Sequence, residues 1–323
     1  MQKIHKLAVF FDGTWNTADY PNKYSNVKKL KDLLVGRYTE DEVTTITESL
    51  YLEGPGTRPG TEVVGGAFAV DLAEIIAEAC IWLSQKYYGI IKQSPEPDIY
   101  VFGFSRGAYL AHIFSWLLND IGLTSSFSSI PRLVELYMHK DEEGLYQILE
   151  QIPPTERYRT YIQMLGLWDM VSAPFDFYSG FHDGERAPMV RNIYHAMALD
   201  EKRRFFPVLK YNAADDCICQ RWFSGVHSDV GGGYDDATLS DISLEWMIDM
   251  SARENLIIKD ITASAENPGT VEDFLHMDVH DEAGKQNNPR KYEGEEIDGS
   301  VYRRMAQDRS YTPIAVNFPM KMA

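Results

Sequence analysis

Cysteine is scarce in this chain: three in 323 residues, at positions 80, 217 and 219. That is too few for a disulfide framework, and Cys217-x-Cys219 lacks the two-residue spacer and second pair of a zinc site, so a reduced compartment is expected. Positive charge is also short, with 31 Lys and Arg against 48 Asp and Glu and a formal net charge of −17. Such an excess repels phosphate backbones and anionic lipid surfaces over any distance that salt does not screen, which argues against nucleic acid as a partner. Long apolar runs are missing too. Leu7 to Phe11 follows Lys3 and Lys6 but stops at Asp12, too short for the apolar region of a signal peptide, and nothing else approaches a membrane-spanning length. The expectation is a protein made in the cytoplasm, with any export by a route that reads no cleavable leader.

What is present is enough for a full core: 44% of residues are hydrophobic, and the length suits one large domain over 1–323 with an insertion. Leu7-Ala-Val-Phe-Phe11, ended by Asp12-Gly13-Thr14, reads as a strand buried on both faces. Ile46 to Leu52, stopped by Gly54-Pro55-Gly56, is a second strand. From Gly65, Phe68, Leu72, Ile75, Ile76, Ala79, Cys80 and Leu83 recur at three- and four-residue spacing, predicting a helix to about Tyr88. Ile99 to Phe102 is the next strand and Ala108 to Leu118 the next helix, so the order is that of an α/β three-layer sandwich with a mostly parallel sheet. The stretch 123–160, polar and broken at Pro131 and Pro153-Pro154, reads as a helical cap inserted over the sheet edge. Its apolar residues, Leu133, Leu136, Tyr137, Met138, Leu145, Ile148 and Leu149, are either an acyl-chain surface or the buried faces of cap helices. Strands return at Met164 to Trp168 and Trp222 to Val226, and Leu239 to Asn255 is a helix capped by Thr238 or Ser240. Beyond Asp260 the text is polar, with a loop at Asn287-Asn288-Pro289.

The chemistry begins at Gly103-Phe-Ser105-Arg-Gly107. Gly-x-Ser-x-Gly arises by chance about 0.1 times in a chain of this length at average composition, so context decides. A nucleophilic serine needs a sharp turn between a buried strand and a helix, and both flanks are there. The glycines remove β-carbons where strand and helix pass closely, and the helix start brings N–H groups to the hydroxyl. The bland reading is a serine that merely caps the helix. A nucleophile needs a base and the base an orienting carboxylate, in the chain order Ser, acid, His. The first acid at the end of a later strand is Asp169, in LGLWDMV, and the first histidine so placed is His227, in WFSGVHSDVGGGY. The bland reading of Asp169 is a strand-end cap. His195, at the start of a helix-like segment, is the rival base, or it lines the site or packs beneath it. His139, His182, His276 and His280 sit in polar stretches where exposure is the default. Two donors are expected for the oxyanion: the backbone N–H of Arg106, and Gly13 or Thr14 from the FFDGTWN loop. Asp12 in that loop either orients it by accepting N–H groups or, with His227 and Asp229, offers ligands to a calcium or other hard ion. Gly231 to Gly233 lacks the following Lys-Ser/Thr of a phosphate loop and reads as a turn that brings His227 in.

The segments FFDGTWN, FGFSRGAY, LGLWDMV, HAMALDEKR, WFSGVHSDVGGGY, SVYRRM and YTPIAVNFP, in this order, make the chain resemble the catalytic domain of bacterial type VI secretion phospholipase effectors, an α/β-hydrolase family. Asp298-Gly299 stands where many relatives place a histidine. The resemblance implies a serine esterase acting on phospholipid, with Ser105, Asp169 and His227 at the family's triad motifs, transient contact with a membrane surface, and a cognate immunity or delivery protein as partner. It implies no cofactor.

Other readings use the same residues. Strand-then-Asp-Gly-Thr resembles the opening of haloacid dehalogenase-type phosphohydrolases, but their nucleophilic aspartate would fall at Phe10. The fold could serve as a binding module with an idle serine or a metal site, or the serine could act on a non-lipid acyl ester.

Overall fold

The computed structural model describes residues 2–14, 23–57, 66–172, 180–212, 215–259 and 278–320, with side chains of the second helix described from 71 onward. The chain opens with β1 (Gln2–Phe11), α1 (Asn26–Leu33), β2 (Arg37–Glu40) and β3 (Val43–Leu52). Next come α2 (Gly66–Ile91), β4 (Asp98–Phe104), α3 (Arg106–Asp120) and β5 (Leu123–Thr124). They are followed by α4 (Ile130–Met138), α5 (Glu142–Gln151), β6 (Arg157–Tyr158), β7 (Ile162–Trp168) and β8 (Val190–Ala198). β9 (Ile218–Phe223), α6 (His227–Gly231), α7 (Thr238–Arg253), β10 (Glu296–Ile297) and α8 (Gly299–Gln307) complete the order.

The main sheet has eight strands in the order β10-β9-β8-β7-β4-β1-β3-β2, all parallel to their neighbours except the edge strand β2. Period-2 alternation divides its side chains between two layers. Leu7, Val9, Phe11, Ile99, Val101 and Leu165 pack with α2, α3 and α4, while Ala8, Phe10, Tyr100, Phe102, Met164 and Trp168 pack with α1 and α7. This is why the strands read as continuous apolar runs: both faces are covered, and each buried Leu, Val or Phe contributes about 1.5–3 kcal/mol. Helices on both faces of a mostly parallel sheet make the three-layer, α/β-hydrolase-like fold. No helix among the described residues is long and apolar enough to cross a membrane.

The stretch 123–160 leaves α3 through β5 and returns through β6, which pair antiparallel. Its helix α4 packs on α2, and Tyr137 donates a hydrogen bond to Asp120 at the end of α3 (2.9 Å). The segment thus extends a helical layer instead of covering the sheet edge expected from its polar composition. Leu133, Leu136, Tyr137 and Met138 are buried, and Leu145, Ile148 and Leu149 are partly buried against the same core, so the apolar stripes face protein. At α7 the expected Thr238 or Ser240 cap is replaced by Asp236, whose carboxylate accepts from the backbone N–H of Thr238 (3.0 Å) and from its hydroxyl (2.6 Å).

Candidate active site

Strand register builds the site. β1 lies between β3 and β4, where the chain's direction of travel across the sheet reverses, and such switch points open a crevice at the carboxyl ends of the strands. Phe104 pairs with Trp168, Trp168 with Ala196, and Ala198 with Phe223. The residues just beyond these ends, Ser105, Asp169 and the turn leading to His227, therefore emerge together. The backbone confirms the turns: Ser105 sits at φ 59°, ψ −127°, and Asp169 at φ 43°, left-handed values that cost non-glycine residues of order 1–3 kcal/mol each. The N–H of Ser105 donates to the Trp168 carbonyl (3.0 Å), locking the elbow to β7.

The two elbow glycines act by lacking a β-carbon. One added at Gly103 would lie 2.6 Å from Ala108 Cα, and one at Gly107 would lie 2.3 Å from the Asp12 carbonyl oxygen. Gly107→Ala is accordingly expected to push the start of α3 off β1 and lower stability by about 1–3 kcal/mol, read as a reduced melting temperature. An unchanged melting temperature would contradict this packing.

Ser105 Oγ lies 2.8 Å from His227 Nε2, and His227 Nδ1 lies 2.5 Å from Asp169 Oδ2. All three residues are buried. His227 opens α6, with its ring tilted against Phe104 (centroids 4.7 Å apart) and edge-on to Phe206 (5.0 Å), and its backbone N–H donates to Glu201 Oε2 (3.3 Å). Burial lowers its pKa, opposed by the hydrogen bond and charge of Asp169, while Arg290 and Arg203 lower it further. Neutral His227 with its Nδ1 proton on Asp169 leaves Nε2 as the acceptor for the serine hydroxyl.

Arg290, a residue that no pattern in the sequence singles out, holds the other side of Asp169. It donates to Oδ1 (2.5 Å) and Oδ2 (2.9 Å), and to the carbonyls of Ala198 (2.7 Å) and Phe206 (2.9 Å). Ala198 N–H adds a bond to Oδ1 (2.8 Å). Burial would raise the Asp169 pKa, but the Arg290 charge and the His227 bond hold it far below the usual carboxylate range. Glu201 lies in the HAMALDEKR segment but has no role assigned from sequence. It chelates Arg203 and touches the His227 backbone; a further signal for it is that Asp200-Glu201-Lys202-Arg203 stands just past β8, at the end of the sheet where sites collect.

The remaining expectations divide. His195 lies within strand β8, not at a helix start, because pairing with β7 and β9 outweighs the helix-forming composition of its segment. Fully buried, it accepts the Met170 N–H at Nε2 (3.1 Å) and faces Gln220 through Nδ1 (3.4 Å), and burial lowers its pKa to about 4. It packs beneath Asp169 as a neutral support. Among the oxyanion candidates, Gly13 is engaged: its N–H donates to Asp12 Oδ1 (2.6 Å). Thr14 differs, its hydroxyl being buried without a partner among the described residues, and Arg106 supplies the first N–H of α3. Asp12 orients its loop, accepting also from Ser25 Oγ (2.6 Å) and Tyr51 OH (2.6 Å). Asp229 serves elsewhere, accepting from Val226 N (3.0 Å) and pairing with His280 Nδ1 (2.6 Å), so His280 is not the free surface histidine expected. Among the described residues no group of three or more His, Cys, Asp or Glu is arranged to hold a metal ion. Asp298 caps α8 through the Ser300 N–H (2.8 Å).

Residues 5–250 match the family model of the type VI secretion system phospholipase effector Tle1-like catalytic domain. The chain belongs to this family. An uncharacterized protein of Saccharomyces cerevisiae is 25% identical to this chain over 232 residues, covering 63% of this chain and 32% of its own length. A solved Tle1 effector bound to the VgrG spike of the type 6 secretion system is 19% identical, with a TM-score of 0.42 over 72% of this chain and 52% of its own. An uncharacterized protein from Pseudomonas aeruginosa is 18% identical, with a TM-score of 0.46 over 82% of this chain and 48% of its own. This chain therefore spans about a third of the curated relative and about half of each of these solved structures.

Proposed function

We propose that the chain is a serine hydrolase that cleaves carboxylic esters of phospholipids through an acyl-enzyme. The single observation that carries this reading is the buried hydrogen-bond chain from Ser105 Oγ through His227 to Asp169. His227 Nε2 takes the hydroxyl proton as Ser105 Oγ bonds to the acyl carbon. Asp169 holds the imidazole orientation and stabilises the imidazolium, and the Arg106 N–H with the Thr14 hydroxyl or backbone faces the developing oxyanion. His227 then protonates the leaving alcohol, and water, deprotonated by the same imidazole, releases the fatty acid and restores Ser105. This chemistry needs no metal or cofactor. Membership in a phospholipase-effector family supports lipid as the acyl donor and a secretion-system delivery protein or an immunity protein as partner.

The test is covalent labelling. A fluorophosphonate should phosphonylate Ser105 with loss of fluoride, label the parent protein and leave Ser105→Ala unlabelled. The parent should then release fatty acid from phosphatidylcholine or phosphatidylethanolamine. A parent that does not label would overturn the serine mechanism. Turnover of acyl esters other than phospholipids alone would overturn the lipid assignment and leave the mechanism standing.

A further inference from the structure

Arg106 follows the nucleophile directly and is a partly buried cation without a counter-ion among the described residues. Its Nε is buried with no hydrogen-bond partner, and no ion pair reaches its guanidinium among the described residues. The other guanidinia around the site are all matched. Arg290 is spread over Asp169 and two carbonyls, and Arg203 is held by Glu201 (2.7 Å) and Glu282 (2.6 Å). Arg106 instead faces the ring of Phe206, whose centroid is 6.0 Å from its guanidinium carbon. The same ring touches the His227 imidazole and carries Arg203 at 3.7 Å. Burial, and then the like charge of Arg203, push the Arg106 pKa down to about 10.

A chain with 48 acidic residues against 31 basic ones has carboxylates in excess, yet among the described residues none is set against this cation. Partly withdrawing a charge from water with no partner is unfavourable, and an anion that arrives with the substrate would supply the missing partner. In the mechanism proposed above the oxyanion is served by the Arg106 N–H and by Thr14, not by the Arg106 guanidinium. The anion must then belong to the substrate beyond its scissile ester, within the reach of one arginine side chain from Ser105. In a glycerophospholipid the group so placed is the phosphodiester, separated from the ester by the glycerol unit, and the planar guanidinium fork matches its paired oxygens.

We propose that the Arg106 side chain binds the phosphodiester of the substrate while Ser105 attacks the neighbouring acyl ester. The inference rests on the phospholipid reading above and adds how this site tells phospholipid from neutral lipid. Dihexanoylphosphatidylcholine and dihexanoylglycerol, both kept below aggregation, differ by the phosphocholine headgroup that contains this phosphodiester, and the quantity read is the ratio of their kcat/KM values. In Arg106→Gln and Arg106→Met the ratio should fall roughly ten- to a hundredfold, the worth of a hydrogen bond to a charged group; Arg106→Lys, with the charge but not the fork, should recover part of it. The Met variant guards against a fold failure, because it leaves no polar group buried, and its melting temperature should match or exceed the parent's. An equal fall on both substrates, or an unchanged ratio, would overturn the proposal and leave the phospholipid reading intact. A parent that hydrolyses the diacylglycerol but not the phosphatidylcholine would overturn both.

Discussion

Ser105→Ala and His227→Ala are each expected to lower kcat for ester hydrolysis by about 10⁴–10⁶, and the double variant to lose no more than the worse single one. The lack of additivity follows from geometry. With Ser105 Oγ and His227 Nε2 2.8 Å apart, the proposed mechanism makes the hydroxyl a nucleophile only while the imidazole takes its proton, and without Ser105 there is no acyl-enzyme for the imidazole to form or resolve. Removing either partner removes the whole function. On the proposed mechanism, what remains comes from the oxyanion donors, whose groups neither substitution touches. Folding should survive, since Ser105→Ala deletes one oxygen from a turn already fixed by the bond from Ser105 N–H to Trp168 and by the two elbow glycines. Steady-state hydrolysis of a short-chain ester, with melting curves beside it, provides the check. A single variant within tenfold of the parent, or two losses that multiply, would remove these residues from the reaction.

The reason this pair is legible in sequence while its supports are not lies in how each is specified. Ser105, Asp169 and His227 stand just past the ends of apolar runs, and a run buried on both faces announces both a strand and where it stops. Parallel strands in register then bring their ends together, so three local patterns carry a long-range statement. Arg290 has no such pattern. It lies in the polar stretch Asn287-Asn288-Pro289-Arg290-Lys291, 121 residues after Asp169, and its partners are one carboxylate and two carbonyls that depend on where a loop crosses the sheet. His195 misleads for the opposite reason. Ala, Met, Leu, Glu and Lys around it favour helix locally, yet hydrogen bonding between β7 and β9 holds the segment extended, and tertiary pairing outweighs fractions of a kcal/mol of propensity. The 123–160 stretch fails similarly. Its polar composition points outward, and only the alignment of its apolar stripes with α2 shows which way it packs.

Arg290→Gln should cost about 3–5 kcal/mol of folding stability at neutral pH, because it leaves the Asp169 carboxylate buried with only His227 and one N–H, and frees two carbonyls from their donor. The same change should move the acidic limb of the kcat/KM–pH profile upward. Hydrolysis needs His227 neutral; the fixed positive charge of Arg290 opposes a second one on the imidazolium, so removing it raises the His227 pKa and a higher pH is needed to free the base. Stability follows its own sign. Asp169 has a folded pKa below its unfolded value, so its contribution is present above the unfolded pKa of about 4 and is lost as pH falls through the folded one. With Arg290 gone the depression is smaller, and less of the acid unfolding is carried by this carboxyl. Arg290→Lys separates the two effects: it keeps a charge but cannot span both oxygens, so it should hold the limb nearer its parent position while losing stability. A limb that stays put in Arg290→Gln would mean that Arg290 only props up the loop. A limb that rises would make it a positioning residue that keeps Asp169 ionised and His227 poised as a base in one arrangement.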